Sequence, residues 1–482
     1  MDHNGQLRDI LEKKNALLQG DTQKVEQQHA KNKLTARERV TSLYDGGSFV
    51  ETLALQQDTG VITGYGLVDG RPVYVAAQDV TVQGAAMSRL QAEKIVKLLG
   101  LAKKTGAPVV LFADSEGFKV EEGAAALAAY AQVFAAMSRL SGVCPILTVV
   151  SGACMGVAAH FASLADVAIA VEKSALVMPM SSLVMNATAG TTLKDEELGG
   201  AQMLLKHGAV ALKAADEQQA VSTLQKVLGL LPSSNCEGAP LEEGDDLNRL
   251  LTADASDGLA LALDVADAGS AVELYPGYGP GCHTLLARVG GRPCGIVAGE
   301  PKQDAGRLDA AACRKIARLV RLCDCYHLPV VSLVMSAGMR VPAIARQAEQ
   351  MRASAQMLYS YAEATTPKLA VLAGDAVGAA YVAMGGKAVA DIAFAWPSAM
   401  IAPLTKEAAV QTFDAQRLKE EDRAVLEQEY ARSADGLVIA SQGLADDVID
   451  PAQTRKHLIA AMELLYTKQD EAPAREHGNM PL

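Results

Sequence analysis

The sequence predicts an α/β protein built from two tandem domains that are related by internal duplication. Three observations carry this prediction: motifs recur at a nearly constant spacing, apolar segments of strand length alternate with helical segments, and 482 residues are enough for more than one domain. The domains are predicted at residues 1–250 and 251–482, because Pro, Ser, Gly and acidic residues cluster at residues 233–257 between them.

The duplication is most visible in short motifs that recur 221 to 225 residues further along the chain. Residues 45–51 (DGGSFVE) recur as residues 267–273 (DAGSAVE). Other pairs with this spacing are Pro108/Pro329, Gly152/Gly374, Gly156/Gly378 and Asp166/Asp391. A drift of so few residues over so long a stretch indicates homologous halves rather than a shared Ala- and Gly-rich composition.

Strands and helices alternate in the first half. Apolar runs predict buried strands at residues 73–77, 109–113, 146–150 and 167–171. Apolar residues at helical spacing predict helices at residues 85–104, 122–140 and 160–164. Strands without polar alternation are typical of parallel sheets that helices cover on both faces.

The second half repeats the same order. Strands are predicted at residues 295–298, 330–335, 369–372 and 392–394. Helices are predicted at residues 310–325, 343–363 and 376–384. We therefore expect two largely parallel sheets with helices packed outside them.

Composition and charge exclude several classes of protein. Half of the residues are hydrophobic, which excludes a disordered chain, and the formal charge of −12 disfavours nucleic acid as a partner. The polar start has no signal-peptide apolar region, and no apolar run approaches the ~18 residues of a membrane span. The eight cysteines form no CxxC pair, and the eight histidines lie at no metal-ligand spacing beside them. The sequence thus predicts a soluble cytoplasmic protein without a metal site.

One element in each half is a candidate for catalysis. Residues 149–159 (VVSGACMGVAA) and 371–381 (VLAGDAVGAAY) each predict a strand, a glycine turn and a helix of small residues. The first N–H groups of a helix have no internal acceptor and can stabilise a developing oxyanion. The alternative is a tight packing corner between helix and sheet, and the residues alone leave both interpretations open.

The turns before these elements also follow strand ends, where ligands of open α/β sheets bind. They are residues 114–123 (DSEGFKVEEG) and 335–342 (MSAGMRVP). Glu121 and Glu122 beside Lys119 are a candidate acid–base set, although a solvated helix start explains acidic residues there equally well. The chain has no GxxxxGK[ST], GxGxxG or GxSxG motif and no Met-Lys-Met of the kind that carries biotin.

Several motifs resemble those of one known family. They are KLTARER at residues 33–39, GSFVE at 47–51, QDVTV at 78–82, LPSSN at 231–235 and AWP at 395–397, which holds the only tryptophan. On these motifs, and along nearly its whole length, the chain resembles the β-type carboxyltransferase subunits of biotin-dependent acyl-CoA carboxylases and decarboxylases.

The resemblance implies a fold and a set of partners. Each half would have the crotonase fold, a ββα superhelix, with acyl-CoA bound by residues 1–250 and biotin by residues 251–482. Biotin would arrive on a separate carrier protein, beside a biotin carboxylase subunit or the membrane subunits of a decarboxylase. The halves of different subunits would form the active site, so the resemblance implies a homo-oligomer, from a dimer to a hexamer.

The resemblance also assigns residues. Gly156 and Val157 correspond to the pair that polarises the thioester carbonyl, and Ala379 and Ala380, preceded by Gly378, to the pair that binds the biotin ureido oxygen. The further ligand-binding positions are Gln83, Gly84, Gly117 and Lys119 in the first half, and Gly338, Arg352 and Tyr381 in the second.

Some motifs depart from the family pattern, mostly in the second half. Val157 replaces a usual glycine, and only the arginine and the middle alanine of a usual Arg-His-Gly-Ala-Lys remain at residues 352–356. Two alternatives therefore stay open: a biotin-independent crotonase-like acyl-CoA decarboxylase, and a non-catalytic scaffold subunit that pairs with an active paralogue. The acyl group and the direction of transfer are also left open.

Overall fold

The computed structural model describes residues 6–12, 18, 20–56, 59–242, 244–419, 421–470 and 477–481. The chain divides into two compact units, Met1–Gly238 and Ala239–Leu482. Among the described residues, no helix combines the length and the apolar character needed to cross a bilayer.

The first unit is an eight-stranded sheet with helices around it. Its strands are β1 (Val50–Thr52), β2 (Val61–Val68), β3 (Arg71–Gln78), β4 (Val109–Ser115), β5 (Ile146–Met155), β6 (Val167–Val171), β7 (Leu176–Met178) and β8 (Leu212–Ala214). Its helices are α1 (Thr22–Ala30), α2 (Ala36–Leu43), α3 (Arg89–Thr105), α4 (Ala124–Leu140), α5 (His160–Leu164), α6 (Ser182–Ala189), α7 (Asp195–Gly199), α8 (Ala201–Lys206) and α9 (Glu217–Leu230). The strand order is β1-β2-β3-β4-β5-β6-β8, and β7 pairs with the end of β5.

The second unit has the same plan. Its strands are β9 (Val272–Leu274), β10 (Cys282–Val289), β11 (Arg292–Gly299), β12 (Val330–Ser336), β13 (Lys368–Val377), β14 (Ile392–Ala395), β15 (Met400–Ala402) and β16 (Asp447–Val448). Its helices are α10 (Gly258–Val265), α11 (Ala310–Cys325), α12 (Gln347–Glu363), α13 (Ala379–Met384), α14 (Lys406–Phe413), α15 (Arg423–Arg432), α16 (Gly436–Ser441) and α17 (Thr454–Leu464). The order β9-β10-β11-β12-β13-β14-β16, with β15 beside β13, matches the first sheet strand for strand.

Both sheets are mainly parallel, as expected for strands buried on both faces. Every residue of β4, β6 and β12 is buried, and the apolar core of each unit packs against these strands. The pairs β1–β2, β2–β3, β9–β10 and β10–β11 are antiparallel. The predicted fold class, two α/β units related by duplication, is confirmed.

Several predicted boundaries were wrong for local reasons. The helix predicted at residues 85–104 begins at Arg89, because Gln83–Ala85 form a turn with three positive φ angles and Ser88 Oγ then caps the helix. The helix predicted at residues 376–384 begins at Ala379, since β13 continues to Val377. Helix α4 begins after Gly123, whose φ of 51° and ψ of −123° break the helical path.

Candidate active site

Strands β5 and β13 extend beyond their neighbours β6 and β14, and each ends in a glycine turn. Strand β5 leads into the 3₁₀ turn Gly156–Ala159 and then α5, and β13 leads through Gly378 into α13. Gly156 has φ +65°, and Gly378 combines φ 55° with ψ −131°, a backbone conformation that a side chain strongly disfavours. The two turns therefore occupy equivalent positions, as the repeat predicted.

Both glycines border open space. A Cβ added at Gly156 would have no described atom within 4 Å, and one added at Gly378 would first meet the Pro403 carbonyl oxygen at 3.5 Å. A ligand oxygen can thus approach either backbone closely, on the side where any other residue would carry a side chain. This open approach fits a thioester carbonyl or a ureido oxygen.

The donors next to these glycines are backbone N–H groups. The Gly378 N–H already donates to the Ala402 carbonyl at 3.0 Å. The N–H groups of Ala379 and Ala380, the first two residues of α13, are therefore the donors that a ligand would use. The Val157 side chain packs against the apolar core of its unit, so the valine does not fill the open side of the turn. The departure from a glycine at residue 157 is therefore compatible with a backbone site.

Two side chains fix the first turn. Cys154 Sγ donates to the Ala158 carbonyl at 2.9 Å, and burial raises the pKa of this thiol to about 12, so it stays protonated. His160 Nδ1 lies 3.1 Å from the Val157 carbonyl oxygen. The carbonyl groups of Val157 and Ala158 are thus engaged by side chains, and a fixed backbone is what oxyanion stabilisation requires.

The loops after β4 and β12 are closed by matching serines. Gly117 N donates to Ser115 Oγ and Gly338 N to Ser336 Oγ, each at 3.2 Å. The Ser115 hydroxyl also donates to the Ala85 carbonyl at 2.8 Å. These hydrogen bonds hold each glycine loop at the end of its strand. Ser115 pairs with Cys154 and Ser336 with Ala376, so the loops lie beside the turns at Gly156 and Gly378.

The structure brings most of the predicted binding positions together within each unit. Glu116 N donates to the Gly84 carbonyl and Lys119 N to the Met87 carbonyl, so Gln83, Gly84, Gly117 and Lys119 lie at the end of β4. Gly338 lies against the end of β13, where an added Cβ would be 3.3 Å from the Val377 carbonyl oxygen.

Other predicted residues have weaker ties to the turns. Tyr381 lies in the first turn of α13, half-buried, and burial raises its pKa. Arg352 is exposed on α12, a helix that packs against α13, and no hydrogen bond described for the chain joins it to Gly378. Glu122 accepts from the Arg89 N–H at 2.8 Å and so helps to begin α3, which favours a structural role over an acid–base role.

Sequence reasoning missed a group of buried charges beneath the first turn. Lys33 Nζ lies 2.7 Å from Asp114 Oδ2, and Arg39 Nη1 lies 3.1 Å from the same atom. The available signal was an acidic residue near the end of an otherwise apolar strand, together with the basic residues of KLTARER. Neither pattern by itself indicated that these side chains meet.

Comparisons with known proteins agree with this geometry. The family described as the carboxyl transferase domain matches residues 27–480. The chain is 35% identical to a propionyl-CoA carboxylase beta chain of Saccharopolyspora erythraea over 99% of this chain and 96% of the relative. It is 36% identical to a methylmalonyl-CoA decarboxylase subunit alpha of Veillonella parvula over 96% of each.

A solved structure is similar throughout. The crystal structure of transcarboxylase 12S, described as a hexamer with methylmalonyl-coenzyme A and methylmalonic acid bound, has a TM-score of 0.94 and 33% identity, and the match covers 100% of this chain and 99% of that one.

Proposed function

The chain belongs to the carboxyl transferase domain family, and from that premise we propose that it moves a carboxyl group between biotin on a separate carrier protein and a short acyl-CoA. The observation that carries the proposal is the pair of open glycine turns, one at the end of β5 and one at the end of β13. The relatives of this chain include a propionyl-CoA carboxylase subunit and a methylmalonyl-CoA decarboxylase subunit. We therefore infer that the acyl group is the size of a propionyl group.

The first unit is proposed to bind acyl-CoA. The N–H groups of Gly156 and Val157 donate to the thioester carbonyl oxygen, where negative charge develops as the α-carbon gains or loses its carboxyl group. The loop positions Gln83, Gly84, Gly117 and Lys119 border this turn and contact the remainder of the acyl-CoA. No side-chain nucleophile is needed, because the backbone donors stabilise the charge directly.

The second unit is proposed to bind biotin. The fixed turn at Gly378 presents the N–H groups of Ala379 and Ala380, and Gly338, Arg352 and Tyr381 lie on the elements around it. Bound biotin would supply the site that accepts or releases the carboxyl group. The chain contributes the two donors, which orient the ureido oxygen and hold the ring in place.

Self-association is part of the proposal. The loops beside the two turns expose large apolar side chains, with Val120 73% exposed in the first unit and Val341 and Ile344 each 86% exposed in the second. Exposed apolar residues grouped near a site mark a surface that is covered by a partner. We propose at least a dimer of this chain and, by similarity to transcarboxylase 12S, a hexamer.

Turnover of methylmalonyl-CoA and malonyl-CoA by the purified chain, with and without free biotin, tests the function. We expect loss of the carboxyl group only when biotin is present. Turnover without biotin would instead identify a biotin-independent decarboxylase. Binding of acyl-CoA without turnover, even with biotin, would indicate a scaffold subunit.

A further inference from the structure

Strand β5 contains a bulge just before its glycine turn. Ala113 pairs with Val150 and Ser115 with Cys154, so the single residue Asp114 faces three residues of β5, 151–153. Such bulges redirect a strand, and they are common beside active sites. The bulge therefore determines the direction in which β5 enters the turn at Gly156.

A cluster of charged side chains packs against the bulge. Its members are Lys33, Arg39, Asp114 and Glu217. The Asp114 side chain is 2% exposed and is bound by Lys33 Nζ at 2.9 Å to Oδ1 and 2.7 Å to Oδ2. Arg39 binds Asp114 on one side and Glu217 on the other, with 3.0 Å between Arg39 Nη2 and Glu217 Oε1. Burial alone would lower the pKa of Arg39, but its hydrogen bond to Glu217 and the charge of Asp114 together raise it, so Arg39 remains a cation.

The cluster touches the backbone of the bulge at Gly152. A Cβ added to Gly152 would overlap Asp114 Oδ1 and lie 2.6 Å from Lys33 Nζ. The carboxylate and the ammonium group are therefore in direct contact with the β5 backbone, four residues before Gly156. Any other residue at position 152 would displace them.

In the second unit the residue opposite the bulge is uncharged, although Asp375 lies within the bulge itself. Its bulge has the same length, since Val334 pairs with Leu372 and Ser336 with Ala376, and the residue opposite the bulge is Met335. A Cβ at Gly374 would be 3.5 Å from Met335 Cγ, an ordinary contact. The bulge itself thus needs only an apolar side chain opposite it.

Stability does not account for the charged cluster. Replacing a buried ion pair by an apolar side chain of similar volume is often neutral or stabilising, and Met335 shows that this fold accepts such a side chain. Within the first bulge, moreover, Ser151 Oγ is buried without a described hydrogen-bond partner, which is also unfavourable. Among the described residues, Met335 of the second unit takes the position of Asp114, and the charged cluster lies in the unit whose turn is assigned to the thioester.

We propose that Lys33 and Asp114 are positioning residues, which hold the Gly152 bulge and thereby aim the N–H donors of Gly156 and Val157 at the thioester carbonyl. The inference rests on the proposed function of that turn. Fixed ion pairs define a backbone position more narrowly than a flexible methionine does. Narrow positioning matters because a displacement of about 1 Å in an active site costs on the order of 100-fold in rate.

The test compares variants of Lys33 in the full-length protein. Lys33→Met removes one arm of the cluster and leaves Arg39 bound to Asp114. We expect kcat for carboxyl transfer to fall by about tenfold or more with KM for acyl-CoA within about twofold, because the donors act mainly in the transition state. Lys33→Arg keeps the charge and should restore most of kcat.

A double variant and a control separate positioning from stability. Lys33→Met with Asp114→Met installs the apolar solution of the second unit, and it should fold while keeping the low kcat. Asp267→Asn disturbs a buried carboxylate of the second unit that is distant in sequence from either turn, and it should lower Tm while leaving kcat unchanged. Wild-type kcat in both Lys33→Met and the double variant would overturn the inference.

Amide hydrogen exchange gives a readout that does not depend on turnover. Exchange in the peptide covering residues 152–158 should be faster in Lys33→Met than in the wild type, and Lys33→Arg should reverse the change. Unchanged exchange would overturn the inference whatever the activity. Absence of carboxyl transfer in the wild type would overturn the proposed function instead, so the two failures are distinguishable.

Discussion

Asp45 and Asp267 hold equivalent β-hairpins in the two units through the same pattern of hydrogen bonds. Asp45 accepts from the backbone of Asp69 at 3.2 Å and Gly70 at 2.9 Å. Asp267 accepts from Gly290 at 2.9 Å and Gly291 at 2.6 Å. The two differ in their surroundings, since Asp45 is exposed, whereas Asp267 is buried and lies 2.7 Å from Arg455.

Replacing the two aspartates by alanine should give unequal losses of stability. Asp45→Ala removes exposed hydrogen bonds and should cost about 1 kcal/mol of unfolding free energy. Asp267→Ala also leaves the fully buried Arg455 with one carboxylate fewer and should cost about 3–5 kcal/mol. Urea denaturation measures both changes. Equal losses of unfolding free energy would contradict the claim that burial of Asp267 and Arg455 makes their ion pair the more important one.

Gly156→Leu should abolish most carboxyl transfer. The substitution places a bulky side chain in the open space of the turn and strains a positive φ, so we expect a loss of about 10²–10³ in rate. Gly47→Leu is the matched control, because Gly47 has a φ of +75° and the same open surroundings outside the candidate site. Activity assays with melting curves check both variants.

Glu121→Gln and Glu122→Gln should reduce turnover far less than Gly156→Leu. Glu121 is exposed, and Glu122 is engaged by the Arg89 backbone. The same carboxyl-transfer assay makes the comparison. If Glu122→Gln abolishes turnover while Gly156→Leu remains active, a carboxylate is the catalyst and the backbone mechanism is wrong.

Gly378→Leu should separate the two half-sites. Its φ and ψ exclude a side chain, so the Ala379 and Ala380 donors would move and biotin-dependent transfer should fall by about 10²-fold or more. Acyl-CoA binding, measured by titration calorimetry, should stay within about twofold of the wild type. A large loss of acyl-CoA affinity would argue against assigning the two ligands to different units.

The apolar loop of the second unit should control assembly. We expect light scattering to show particles of at least twice the 50.4 kDa chain mass. Val341→Glu with Ile344→Glu should shift the mass toward that of one chain and reduce activity, because a charge at a covered apolar surface is costly. Leu437→Glu, at a residue 78% exposed on α16, is the control and should not change the mass.

Alkylation should distinguish the cysteines sharply. Cys236 is exposed, whereas burial raises the pKa of Cys154 to about 12 and that of Cys144 to about 11. A thiol with a pKa near 12 is thiolate in only about one molecule in 10⁴ at pH 8, and the thiolate is the reactive form. Timed labelling with iodoacetamide and peptide mass spectrometry should therefore show Cys236 modified at least ~100-fold faster than Cys154.

Sequence periodicity predicted the elements whose burial is uniform and missed those whose geometry depends on distant contacts. Residues 167–171 and 310–325 were predicted with their observed bounds, because an apolar run or stripe specifies such an element locally. The helix predicted at residues 85–104 wrongly included Ala85, because the left-handed backbone of the turn Gln83–Ala85 is fixed by contacts with the loop after β4 rather than by its own residue types.

The candidate site divides in the same way. The turns at Gly156 and Gly378 could be predicted because glycine repeated at equivalent positions is itself the signal. The charged cluster could not, because Arg39, Asp114 and Glu217 lie far apart in the chain and meet only after α2, β4 and α9 have packed. No local sequence pattern predicts which of the basic residues at 33–39 forms an ion pair with a distant carboxylate.

The bulges of β5 and β13 have the same length, which bears on how the halves diverged. The backbone detour is shared, as expected of a feature inherited from before the duplication, whereas the side chains opposite it differ, Asp114 in one half and Met335 in the other. Exchange of residues 149–159 with residues 371–381 would consequently require no change in loop length. Such an exchange would place the backbone donors of one half in the other half. The ligand preference of a half could then be changed by substituting side chains, with the backbone length kept.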